Sequence, residues 1–160
     1  MPDCSDETAQ QMLELSLESS PRAVRRALLL AMRPLEDLGW PDEAQGRVQI
    51  VLAEALNNIV EHAYRGTADG QIRLHMTVTP KLAEMHLGDD GHPMPHGALP
   101  APRKIDIGGA RSALPEGGFG WPLIHALTED ISYNRKDGVN QLQCRMPLSA
   151  GPEIGMTEAV

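Results

Sequence analysis

Val48-Gln49-Ile50-Val51-Leu52-Ala53-Glu54-Ala55-Leu56-Asn57-Asn58-Ile59-Val60-Glu61-His62-Ala63-Tyr64 is the stretch on which the fold turns. Val48, Val51, Leu52, Ala55, Ile59 and Ala63 recur at helical intervals, which gathers apolar side chains on one face of an α-helix. Pro41-Asp42-Glu43 supplies a start suited to a first turn, and Gly66 supplies the stop. Upstream, Ser20-Pro21 offers an N-cap and a first-turn proline for a helix to about Asp37, ended by Gly39. Pro34 is a candidate kink or early end for it. Before that, Met12, Leu13, Leu15 and Leu17 mostly alternate with Glu14, Ser16 and Glu18, a strand pattern.

Downstream, Gln71 to Thr79 and Leu82 to Gly88 alternate about a turn at Pro80-Lys81 and predict an antiparallel hairpin. Residues 89–117 hold Pro and Gly too densely for a regular element over most of their length. A loop that long inside a small domain is usually functional or disordered, which makes it a lid candidate. Gly117-Gly118-Phe119-Gly120 opens a short helix over about 121–127, and strands near 130–135 and 139–147 meet at Lys136-Asp137-Gly138. The order strand, helix, helix, hairpin, loop, helix, hairpin predicts an α+β two-layer sandwich, a mixed sheet with helices on one face. The domain is expected over 11–148, with flexible tails at 1–10 and 149–160.

With 160 residues the chain has the size of one domain and can bury a core without staples. Two Trp, two Tyr and one Phe leave aliphatic side chains and Met to fill that core. A net charge of -8 opposes binding to nucleic acid or to an anionic membrane surface, since both require basic patches. Cys4 and Cys144 are the only thiols and lie far apart in sequence, so neither a disulfide framework nor a thiolate metal site is indicated. The acidic start carries no secretory signal, and no run approaches the roughly 18 apolar residues of a membrane span. A cytoplasmic protein is expected.

Three segments could carry chemistry. Glu54 and Asn58, four apart, project from one face of the long helix, where a carboxylate can polarise an attacking hydroxyl and an amide oxygen can hold magnesium. The same pair also fits a solvated face together with Asn57, Glu61 and His62. Asp89-Asp90-Gly91-His92-Pro93 ends a strand in an acidic turn, in which a carboxylate can accept from an exocyclic amine such as adenine's; an ordinary Asp-Gly turn reads the same. Gly117-Gly118-Phe119-Gly120 before a helix suits either a phosphate cradle or a plain chain reversal. The Walker lysine pattern is absent. His92 and His96 are separated by Pro93 and Pro95, so they share no helix face and a zinc site is disfavoured. Arg103, Lys104 and Arg111 are the cations of the lid candidate, available to a terminal phosphate or simply solvated.

The three segments occur in a specific order. Glu54 to Tyr64 resembles the N box of the histidine-kinase-like ATPases, Asp89 to Pro95 the first glycine box, and Glu116 to Ile124 the second. Within that superfamily the chain is most similar to the bacterial serine/threonine kinases that act as anti-sigma factors, and the likeness covers roughly residues 11–148. It implies Glu54 as general base, Asn58 as a magnesium ligand, and Asp89 as the residue that recognises the adenine amino group. Gly91, Gly118, Phe119 and Gly120 then lie where nucleotide and lid close. ATP and Mg²⁺ are the implied cofactors. A STAS-type anti-anti-sigma protein is the implied phosphoryl acceptor, a sigma factor the other partner, and a homodimer the implied assembly.

The chain departs from the pattern in a short, proline-rich lid and in Met94, which stands where Phe is usual. Val139-Asn140-Gln141 occupies the place where many relatives use a threonine to help hold adenine, a role the Asn140 amide could take. The altered lid motivates a second reading, a catalytically weak ATP-binding module that regulates by sequestration. A third, the detached ATP-binding half of a sensor kinase, lacks a helical region to carry a phospho-accepting His.

Overall fold

The computed structural model describes residues 9–66, 69–101 and 120–149. Strand β1 spans Gln11–Glu18, helix α1 Pro21–Asp37 and helix α2 Asp42–Asn58, which runs on into a π-helical turn at Ile59–Ala63. Strands β2 (Gln71–Val78) and β3 (Leu82–Asp89) form a hairpin; helix α3 (Gly120–Leu127) precedes a second hairpin of β4 (Asp130–Lys136) and β5 (Val139–Pro147). The boundaries follow local chemistry. Ser20 accepts from the Ala23 N–H at 3.1 Å as the α1 cap. Pro34, a candidate break, is accommodated within α1. Asp137 and Gly138, at φ 53° and 80°, make the two-residue turn that sets the register of β4 against β5.

The sheet order is β1-β2-β3-β5-β4. The expected two-layer α+β sandwich is present, but where a mixed sheet was predicted, all four pairings among the described strands are antiparallel. Chain direction explains the difference. Two helices between β1 and β2 return the chain reversed, and both hairpins are antiparallel by construction. The connection that includes α3 leaves β3 and β4 pointing the same way, but β5 lies between them, so no parallel ladder forms among the described strands.

One face of the sheet carries Ile72, Leu74, Met76, Val78, Ala83, Met85, Leu87, Leu142, Cys144 and Met146, all buried. Against it pack Val24, Ala31 and Leu35 of α1, Val48, Val51, Leu52 and Leu56 of α2, and Ile124 of α3. This aliphatic and methionine-filled core is the one the composition predicts. No helix among the described residues is long and apolar enough to cross a membrane.

The regular helix predicted to run to Gly66 changes pitch instead. The Tyr64 N–H bonds the Ile59 carbonyl five residues back at 3.1 Å, and the Gly66 N–H reaches Val60 at 2.8 Å. This slip releases the Ala63 carbonyl to accept from His92 N–H at 2.8 Å. The helix end is thereby stitched to the loop after β3, and π turns of this kind are frequent at functional sites.

Candidate functional site

At the α2 end of the sheet, strand register builds a row of polar side chains on the inner face. Ile72 lies opposite Asp89, Asp89 opposite Asn140, and Asn140 opposite Arg135. The row thus passes from core to carboxylate to amide to guanidinium. Asp89 and Asn140 are 4% and 5% exposed, burial that polar groups tolerate only when bonded. Asp89 Oδ1 accepts from Gly91 N–H at 2.9 Å and from Asn140 Nδ2 at 2.8 Å. Burial raises the Asp89 carboxyl above its ordinary value, and the Asn140 bond is the largest opposing influence, followed by the Gly91 N–H.

A cavity of about 360 Å³ opens beside this row, walled by Ala55, Asn58, Ile59, Met94, Trp121 and Tyr133 around Asp89. Mostly apolar walls with a few convergent polar groups are the usual composition of a small-molecule site. A wider depression of about 580 Å³ on the outer face of the sheet has Glu14, Arg73, His86 and Gln143 on a shallow polar floor and meets none of the three sequence segments. The inner cavity is therefore the candidate site.

Asn58 projects into it from α2. Its Nδ2 is buried with no hydrogen-bond partner among the described residues. A buried amide left this way costs about 1–3 kcal/mol, which fits a site completed by a ligand. Glu54 does not line the cavity but meets it at the edge: a Cβ added to Gly120 would lie 2.9 Å from Glu54 Oε2 and 3.3 Å from Asn58 Nδ2. The start of α3 thus lies close against both side chains, where any side chain larger than glycine's would displace them. Gly91 sits just as closely behind the loop, where an added Cβ would lie 2.5 Å from the Ala63 carbonyl oxygen.

The predicted set is therefore brought largely together. Asn58, Asp89 and Asn140 wall one cavity, Glu54 and Gly120 touch at its rim, and Gly91 secures the loop. Gly118 and Phe119, like Arg103, Lys104 and Arg111, lie outside the described residues. Asn140 lies at the expected wall, but its amide is spent on protein groups. Nδ2 also donates to the His92 carbonyl at 2.9 Å, while Oδ1 accepts from Tyr133 OH at 2.6 Å and Arg135 at 2.8 Å.

Sequence reasoning missed Tyr133 and Arg135 as parts of the site. The two-residue Asp137-Gly138 turn held the signal, since it dictates that Arg135 faces Asn140. Tyr64 was quoted only as the end of a motif. Its hydroxyl donates to the Gln71 carbonyl at 2.7 Å and accepts from Asp90 N–H at 2.8 Å. Burial holds its phenol above the ordinary value, so it stays a donor at neutral pH.

A match to the histidine kinase-like ATPase domain spans residues 17–146, from the end of β1 through β5. The chain belongs to that family. Among relatives of this ATPase domain, the serine/threonine-protein kinase BtrW of Bordetella bronchiseptica is 32% identical over 113 residues, 68% of this chain and 77% of its own length. The serine-protein kinase RsbW of Oceanobacillus iheyensis is 26% identical over 132 residues, covering 79% of this chain and 81% of that one. The fold recurs in the crystal structure of the RsbU and RsbW domains of a Mycobacterium tuberculosis protein. There the TM-score is 0.57 at 13% identity over 85% of this chain, which spans 32% of that longer one. The domain thus falls with the serine/threonine-protein kinases of its family.

Proposed function

We propose that the chain is an ATP-dependent serine/threonine-protein kinase that acts in the cytoplasm as an anti-sigma factor, with residues 11–148 as the functional unit. Its phosphoryl acceptor in this reading is a STAS-type anti-anti-sigma protein, and its alternative partner is a sigma factor. The observation that carries the reading is the meeting of the three sequence segments at one cavity, with an unpartnered Asn58 amide on one wall and the buried Asp89 carboxylate on the other. A 360 Å³ space of apolar walls suits a purine nucleoside.

Asp89 accepts from the purine amino group through the oxygen that Asn140 and Gly91 do not occupy. Asn58 and the start of α3 face the phosphate end. Asn58 would hold Mg²⁺ through its side-chain oxygen, and the ion would supply neutralisation of the phosphate charge. Glu54, beside Asn58, orients the acceptor hydroxyl and takes its proton, so that most of the rate comes from positioning.

The test is phosphoryl transfer from labelled ATP to a STAS-type anti-anti-sigma protein. Glu54→Gln is expected to lower the transfer rate by about a hundredfold or more while leaving ATP affinity within a few fold. Transfer unaffected by that substitution would remove Glu54 from the chemistry. ATP binding without any transfer by the unsubstituted chain would favour a module that regulates by sequestration.

A further inference from the structure

The row Asp89, Asn140, Arg135 holds a device that the family's three motifs do not contain. A guanidinium can only donate hydrogen bonds, so Arg135, 2.8 Å from the Asn140 amide, dictates which end of that amide is oxygen. Tyr133 OH, 2.6 Å away on the same oxygen, agrees with the assignment and is itself held by Met94 N–H at 3.1 Å. With its oxygen fixed on this side, the Asn140 NH₂ must face Asp89 and the Gly91 and His92 carbonyls. The amide cannot turn over without setting an N–H against the guanidinium and a carbonyl against two others. Arg135 also donates to the Gly91 carbonyl at 2.9 Å, tying the loop to the same point.

We propose that Asn140, locked by Arg135 and Tyr133, is a positioning residue that occupies one oxygen of Asp89 and thereby presents the other, in a single orientation, to the amino group of a bound purine. This rests on the nucleotide reading of the cavity and adds to it the residue that makes Asp89 selective. Among the described residues the bonds to Asp89 converge on Oδ1, from Gly91 N–H and Asn140 Nδ2, so Oδ2 is the oxygen left to accept.

The same bond guards the charge. A protonated Asp89 would present a donor where an acceptor is needed. Burial and the neighbouring Asp90 favour that protonated form, whereas Asn140, the Gly91 N–H and Arg135 oppose it, with Asn140 foremost among them. Tyr64, from the end of the helix, is coupled to this carboxylate, and His62, Arg65 and His92 share its cavity.

The experiment compares Asn140→Thr with Asn140→Val, side chains of one shape that differ by a hydroxyl donor and that both suit a strand. ATP binding to the whole chain is measured by calorimetry from about pH 5 to about pH 8, with circular dichroism confirming the fold. The threonine variant should bind within a few fold of the unsubstituted chain, and the valine variant at least about tenfold more weakly at neutral pH. The valine variant should also begin losing affinity at a higher pH as the solution is acidified. If the valine chain does not fold, Asn140→Ser against Asn140→Ala gives the same contrast. Identical behaviour of donor and non-donor variants at every pH, or a loss in the non-donor variant that is uniform across pH, overturns the proposal. Absence of ATP binding in the unsubstituted chain would instead remove the nucleotide reading on which it stands.

Discussion

A carboxylate that is 4% exposed and bonded on one oxygen pays for its position in stability. Burial raises the Asp89 carboxyl above its ordinary value, so the stability it contributes is fully present below that ordinary value and is lost as pH rises through the folded one. At neutral pH its charge works against folding. Asp89→Asn keeps the shape, and the Asn oxygen can still accept from Gly91 and Asn140. The melting temperature of the variant at neutral pH should equal or exceed that of the unsubstituted chain, with the difference vanishing below about pH 4, where both side chains are neutral. ATP affinity should fall at least about tenfold, because a donor now faces the purine amine. A lower melting temperature at neutral pH would mean that Asn140 and Arg135 more than offset the burial.

Between elements, the decisive contact is α3 on α2. Gly120 lies so close to the Glu54 carboxylate and the Asn58 amide that a methyl group there must displace one of them. Both are ends of flexible side chains, so Gly120→Ala should fold with a melting temperature within a few degrees of the parent yet lose roughly tenfold or more in phosphoryl transfer, since small misplacements of reacting groups are costly. Unchanged transfer in a stopped-time assay with labelled ATP would show that the start of α3 does not set the Glu54 geometry. The elements themselves were legible because their signals are local: Ser20-Pro21 caps α1, and Asp137-Gly138 turns the last hairpin. The π turn at Ile59–Ala63 was not, since buried Ile59, Val60 and Ala63 suit either helical pitch. Nor was the bond from Asn140 to Asp89, 51 residues apart, which exists only once β3 and β5 are paired.

At the scale of the molecule, the sheet is both core and site wall: the rows that bury Leu74, Met85 and Leu142 end at Asp89 and Asn140. Ligand binding at that end should therefore stabilise the fold as a unit, and Cys144 provides a reporter for it. The thiol lies within β5, fully buried between Met85 of β3 and Ile131 of β4. Burial pushes it up to about 12, so in the folded state it is neither accessible nor ionised. In a Cys4→Ser chain it is the sole thiol, and its alkylation must wait for the sheet to open. A ligand that binds only the folded state shifts that opening by mass action: ATP at about a hundred times its dissociation constant adds roughly 2.7 kcal/mol. Labelling by iodoacetamide should then slow about a hundredfold when ATP and Mg²⁺ are added, and the slowing should shrink to about tenfold or less in Asp89→Asn at the same ATP concentration. Protection that is absent in the parent would mean that no adenine nucleotide is held by the folded sheet, whereas protection that is undiminished in Asp89→Asn would place the nucleotide away from the Asp89 wall.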